Sequence, residues 1–261
     1  MDKWGNKKVV IIGHGEMGGV FARGFLRSGI PVYPVLRSMN LQAVASELPE
    51  PDLVVVAVAE KDLQETIGNI PEQWRSCLAL LQNELLPSDW QKHSLIDPTV
   101  ISVWFEKKKG QDVKVLVPSP VFGKGAGLIK QALETIDIPV NIVASESLME
   151  EELVLKNIYI LTTNIAGLVC GGSVESLWNE HNALARDVAS DAMDIQESLI
   201  GKSIDREKAL KGFLEAINGD LNHQCMGRSA PARLARAIVL ADEAGLEVKK
   251  IRSIFAEHGA S

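Results

Sequence analysis

Short unbroken apolar runs punctuate the first half of the chain, and between them apolar residues recur at helical spacing. Val9 to Ile12 is the first run, and Met17, Val20, Phe21 and Phe25 then follow at steps of three and four, so a buried strand leads into a helix. Ile30 to Arg37 predicts a second strand, with Pro34 restricting it to a sheet edge because proline offers no N–H to a ladder. Leu41 to Leu48 predicts a short helix. Leu53 to Ala59 is continuously apolar and β-branched, the pattern of a parallel strand covered on both faces. A helix starting at Asp62 and a buried run from Cys77 to Pro87 continue the alternation. Val100 to Phe105 and Val113 to Val117 predict two strands joined through KKKGQD as a hairpin, with Lys107 to Lys109 as a solvated turn. Leu128 to Thr135 and Pro139 to Val143 add a helix and a last strand.

From Ser145 onward the spacing is helical throughout. Ser145 or Ser147 can cap a helix whose first turns hold Glu150, Glu151 and Glu152, where negative charge suits the dipole. That helix runs to about Val169 and stops at Gly171-Gly172. Further helices are expected over Val174 to Leu199, Arg206 to Asn218, Ala232 to Ala244 and Val248 to Glu257. The fold class is therefore α/β: a doubly wound, mostly parallel Rossmann-type sheet over residues 1–145, then an all-helical second domain over 146–261.

The junction between the first strand and the first helix carries chemistry. Gly13, Gly15 and Gly18 form G-x-G-x-x-G there, with His14, Glu16 and Met17 as its variable positions. The first glycine permits a tight turn, the second lets backbone approach a pyrophosphate, and the third lets helix pack on strand. The helix N-terminus then offers unpaired N–H groups to the phosphates. At the end of the second strand, where an NAD site usually holds an acid for the ribose 2′-hydroxyl, stand Arg37 and Ser38, with no acid until Glu47. A guanidinium pairs two oxygens of a 2′-phosphate, so NADP is the expected cofactor.

Net charge is −7, which argues against general nucleic-acid binding but leaves room for a local basic cleft. No apolar run approaches the roughly 18 residues of a membrane span, and the polar start MDKWGNKK has no signal-peptide core, so neither nucleic acid nor membrane is an expected partner. Cys77, Cys170 and Cys225 are scattered, as are the five histidines. They form no metal spacing and no disulfide framework, and a reducing cytoplasm is the expected setting.

The glycine loop IIGHGEMGG, Arg37, LLQNELLP around Asn83, and LVLKNIYILTTNIAGL together resemble the ketopantoate reductase (2-dehydropantoate 2-reductase) family. The resemblance implies NADPH-dependent reduction of a small 2-keto acid, as in pantothenate biosynthesis. It implies Lys156 as the catalytic lysine and Asn164 as a substrate-binding asparagine. Asn83 falls on the asparagine beside the nicotinamide ribose and the substrate, and Arg37 on the arginine for the 2′-phosphate. Lys156, Ile160, Thr163 and Asn164 also share one helical face. A cation there suits the alkoxide that develops as a ketone is reduced.

The chain departs from that family at three places. Ile160 stands where a second asparagine is usual, and Ala59 where a lysine often follows the third strand. NHQCMGRSAPARLARAIVLADEAGL has no glutamate before Glu243, although the family grips its substrate's hydroxyl with one there. Arg228, Ser229 and His223 are the polar replacements; an arginine suits an acidic substrate. A homodimer through the helical domain is a further expectation. VPSPVFGKGAG resembles prephenate dehydrogenases, but Ser119 occupies the place of their histidine. DLVVVAVAEKD is similar to pyrroline-carboxylate reductases. A third reading is a non-catalytic NADP-binding sensor or scaffold.

Overall fold

The VVII run of β1 (Val9–Ile12) is buried along its whole length because strands pair with it on both sides. On one side is β2 (Val32–Val35), on the other β3 (Leu53–Val56), both parallel to it. The computed structural model describes residues 7–259. β4 (Leu78–Leu80), β5 (Thr99–Ile101), β8 (Ser119–Phe122) and β9 (Val140–Ile142) complete a seven-stranded sheet in the order β2-β1-β3-β4-β5-β8-β9. Every neighbouring pair is parallel except β5 with β8. Pro34 sits in β2, at the sheet edge where its missing N–H costs no ladder bond.

The helix α1 (Glu16–Arg27) buries Phe21 and Phe25 in the same apolar cluster as Ile129 and Leu133 of α5 (Ala126–Glu134). Each such side chain contributes roughly 1.5–3 kcal/mol by leaving water. Between β2 and β3 lies α2 (Leu41–Glu47), capped by Asn40, whose side chain accepts from Ala43 N–H at 3.0 Å. A 3-10 turn over Glu60–Asp62 leads into α3 (Leu63–Gly68).

This region differs from the expected pattern in two ways, a split strand and added elements. The run Val100 to Phe105 is not one strand: β5 ends at Ile101, and β6 (Phe105–Glu106) pairs instead with β7 (Lys114–Val115) as a separate hairpin. Between them the Ser119 hydroxyl accepts the Trp104 N–H at 2.9 Å, so a side chain takes the place of a ladder carbonyl. The pairing strand β8 and the short α4 (Pro87–Gln91) are additions; α4 begins with Pro87 and with Asp89 accepting the Leu86 N–H at 3.0 Å.

The second region opens with α6 (Glu146–Cys170), started by Ser145 Oγ accepting from Leu148 N and stopped by Gly171 and Gly172 at φ 61° and 73°. This helix is a correction to the hydropathy reading, for by length and composition it is long and apolar enough to cross a membrane. Of its most apolar window 78% is buried within the protein, which is how a core helix meets the same test. The single helix expected over Val174 to Leu199 is two, α7 (Val174–Glu180) and α8 (Asn182–Ile200), broken at His181 (φ −124°). Then come α9 (Arg206–Gly219), α10 (Ala230–Glu243) and α11 (Lys249–His258). The chain divides into two compact units that meet between Leu153 and Val154, eight residues beyond the composition change at 145/146 and inside α6.

Candidate functional site

β1 lies between β2 and β3: the chain passes from β1 to β2 on one side and then crosses from β2 to β3 on the other, where the strand order reverses. In a doubly wound sheet this reversal opens a crevice at the carboxyl ends of the strands, the usual seat of a nucleotide. Gly13 follows β1 directly, and the crevice floor is tied to both neighbours: Gly13 N–H donates to Val35 O at 3.1 Å and Ala57 N–H to Ile12 O at 2.7 Å.

The three glycines are present for different reasons. At Gly13 φ is +95°, and a Cβ would lie 2.7 Å from Ala57 O. At Gly18 a Cβ would lie 2.1 Å from Gly13 O. Both are therefore required by the chain itself. At Gly15 a Cβ would meet nothing within 4 Å, and φ is an ordinary −77°. The fold does not need a glycine there; close approach of a ligand to the backbone would be a reason for one. Gly15 also begins α1 without a side-chain cap, which leaves the first-turn N–H groups to an anion.

Beside this loop lies an open hollow of about 410 Å³, lined among others by His14, Gly15, Glu16, Arg23, Lys107 and Asp112. His14 and Glu16 are exposed along it, whereas Met17 turns inward against the core cluster. Lys107 is half-buried there, and its ammonium donates to the carbonyls of Lys108 and Gln111 in the hairpin, so it is not a wholly solvated turn residue.

Arg37 and Ser38 follow β2 and are exposed. Arg37 Nη2 is paired with Asp62 Oδ2 at 2.6 Å. The acid that the second strand lacks is thus supplied in space by the turn after β3. Ala59 is exposed at the start of that turn. Asn83 is half-buried just past β4. Its neighbour Gln82, not singled out by the sequence reading, is buried and donates from Nε2 to Val56 O at 2.6 Å and to Val58 O at 3.2 Å. It fixes the segment leaving β3; an amide at the end of the apolar run in LALLQNELL was its only signal.

In the helical unit, Lys156 is 7% exposed on α6. Asn164, on the same helix, is 8% exposed and spends its amide on its own unit. Its Nδ2 donates to Ile160 O at 2.9 Å, while its Oδ1 accepts from Gly227 N at 3.3 Å and from Arg233 Nη1 at 3.2 Å. Arg228 and Ser229, which lead into α10, are exposed. His223 is half-buried, its ring 6.2 Å from that of Tyr159. Ser119, the residue on which the prephenate dehydrogenase likeness turns, is fully buried in the sheet. Among the described residues no group of three His, Cys, Asp or Glu is placed to hold a metal ion.

An open Gly15 at a switch point and an uncapped helix N-terminus define the class: a doubly wound domain of the kind that takes nucleotides, followed by a helical unit. Solved structures narrow this to the fold of the ketopantoate reductases. A ketopantoate reductase from Ralstonia eutropha JMP134 is 14% identical, with 96% of each chain covered and a TM-score of 0.67. A dimeric ketopantoate reductase from Staphylococcus aureus is 17% identical, with 97% of this chain and 98% of that one covered, at a TM-score of 0.63. A D-mandelate dehydrogenase in complex with NADH is 12% identical, with 97% and 98% covered, at 0.66. No family model and no curated protein matches the chain.

Proposed function

We propose that this chain is an NADPH-dependent reductase of a small 2-keto acid, of the ketopantoate reductase type. The observation that carries the reading is Gly15: the chain makes no steric use of this glycine, and a dinucleotide does. Gly13, His14, Gly15, Glu16, Met17 and Gly18 form the loop for the pyrophosphate, and Arg37 and Ser38 stand at the ribose end. Structural neighbours that are ketopantoate reductases, and one that is a D-mandelate dehydrogenase with NADH, support oxidoreductase chemistry on this fold.

The bound nicotinamide supplies a hydride to the carbonyl carbon of the keto acid. The carbonyl oxygen then needs a proton and, before that, a positive neighbour. In this reading Lys156 provides both, and Asn83 orients the substrate. Burial strengthens such a charge interaction by excluding water, and Lys156 is buried. The product is the corresponding 2-hydroxy acid. Homodimerisation through the helical unit belongs to the same proposal, supported by the dimeric neighbour from Staphylococcus aureus.

A second reading, a non-catalytic nucleotide-binding sensor, has one observation in its favour. Asn164 is committed to Ile160, Gly227 and Arg233, so the amide that the resemblance assigns to substrate is occupied by the chain. NADPH consumption against a panel of 2-keto acids separates the two. Turnover by the wild type, lost in Lys156→Ala while NADPH affinity is kept, supports the reductase. Full turnover in Lys156→Ala rules out that lysine; binding with no turnover across the panel favours the sensor.

A further inference from the structure

We infer that Asp62 is the residue that sets the preference of this site between the phosphorylated and the unphosphorylated dinucleotide. The inference rests on the cofactor reading above and adds to it a residue that works against Arg37.

Arg37 leaves the carboxyl end of β2 and Asp62 ends the turn that follows β3. β1, which carries the glycine loop, lies between those two strands. The Arg37–Asp62 ion pair therefore crosses the rim of the crevice at the end of β1, where the adenosine ribose of a dinucleotide lies.

The two partners are not held equally. Asp62 is fixed by its own backbone: its N–H donates to Ala59 O at 2.9 Å and its carbonyl accepts the Thr66 hydroxyl at 2.7 Å. Its side chain is 28% exposed, whereas that of Arg37 is 86% exposed. The carboxylate is the stationary member and the guanidinium the movable one.

Each cofactor meets this pair differently. A free 2′-hydroxyl is a donor, and the Asp62 carboxylate is an acceptor placed at the ribose edge. A 2′-phosphate needs the guanidinium fork instead. To obtain it, the phosphate must compete with Asp62 for the guanidinium and sit beside that carboxylate's negative charge. An exposed pair is weak enough to be exchanged in this way. Arg37 thus favours NADPH while Asp62 taxes it and favours NADH.

The test is titration of NADPH and NADH by fluorescence against wild type, Asp62→Asn and Arg37→Ala. Asn keeps the size of the side chain and both backbone bonds. Asp62→Asn is expected to tighten NADPH by about three- to tenfold, with NADH unchanged or weaker. Arg37→Ala is expected to weaken NADPH and leave NADH nearly unchanged. An NADPH-to-NADH affinity ratio that stays within about twofold of wild type in Asp62→Asn, or moves toward NADH, overturns the inference. So does undiminished NADPH binding in Arg37→Ala. In both cases NADPH still binds and the cofactor reading stands. Failure of both nucleotides to bind the wild type overturns both together.

Discussion

Gly15 and Gly18 stand three residues apart in one motif, yet their replacement by alanine should fail in opposite ways. At Gly18 the new Cβ would lie 2.1 Å from Gly13 O, about 1 Å inside contact with a backbone atom that has no rotamer to move. Either α1 lifts from β1 or the Gly13 turn shifts, and Gly13 is itself held to Val35 O. Overpacking of this kind costs about 2–3 kcal/mol. For a unit of this size that lowers the melting temperature by about 4–12 °C. At Gly15 the new Cβ meets nothing within 4 Å and the backbone angles suit alanine. The lost cap preference and the reduced freedom of the unfolded chain nearly cancel, so stability should stay within about 0.5 kcal/mol. The cost appears when a dinucleotide is added, as at least a tenfold loss of affinity, or ~1.4 kcal/mol. Thermal melting by circular dichroism and NADPH titration by fluorescence read the two quantities. A Gly15→Ala protein that binds NADPH like the wild type, or a Gly18→Ala protein that melts like it, refutes the division of labour.

Three further outcomes follow from the packing. Asp191 Oδ2 accepts the N–H groups of Lys250 and Ile251 at 2.8 and 2.9 Å, so Asp191→Ala should cost about 1–2 kcal/mol and fray α11, read by denaturant melting and amide exchange. Hydrogen bonding to Arg206, then to the Ile204 N–H, holds the Glu197 carboxyl below its ordinary 4.5. Stability from that pair is fully present above 4.5 and is lost as pH falls through the lowered folded value; Arg206→Met should flatten the stability–pH curve in that window. Burial, with the charge of Asp52 as a smaller cause, pushes the Cys77 thiol up to about 11, and burial with the neighbouring Cys170 pushes Cys225 up to about 12. Iodoacetamide at pH 8 should label both at least about tenfold more slowly in the folded protein than in urea, as mass spectrometry would show.

The strands of the crevice were legible because burial on both faces leaves an apolar run with nothing else to explain it, as in Val9–Ile12 and Leu53–Val56. Helix ends were legible where chemistry marks them: Ser145 starts a helix and Gly171 stops it by an identifiable bond or backbone angle. β8 was not, since SPVF has a proline and a polar start and is held by long-range pairing to Val100 and Ile101. The split of Val100 to Phe105 was hidden for the same reason, for the hydroxyl that interrupts it comes from Ser119.

The candidate site divides along the same line. The glycine loop is local, and its three glycines could be assigned separate roles before their neighbours were known. Arg37 was read as free of acids because the nearest one in sequence is Glu47. Asp62 reaches it from the far side of β1, a proximity that only the strand order β2-β1-β3 creates. Asn164 shows the reverse case. Its place on one helical face with Lys156 was legible, but its bonds to Gly227 and Arg233 span more than sixty residues of chain. An amide with both ends occupied has little left for a substrate. Where the resemblance led a substrate grip to be expected, Gly227 before α10 and Arg233 in its first turn are bound to Asn164 of α6 instead.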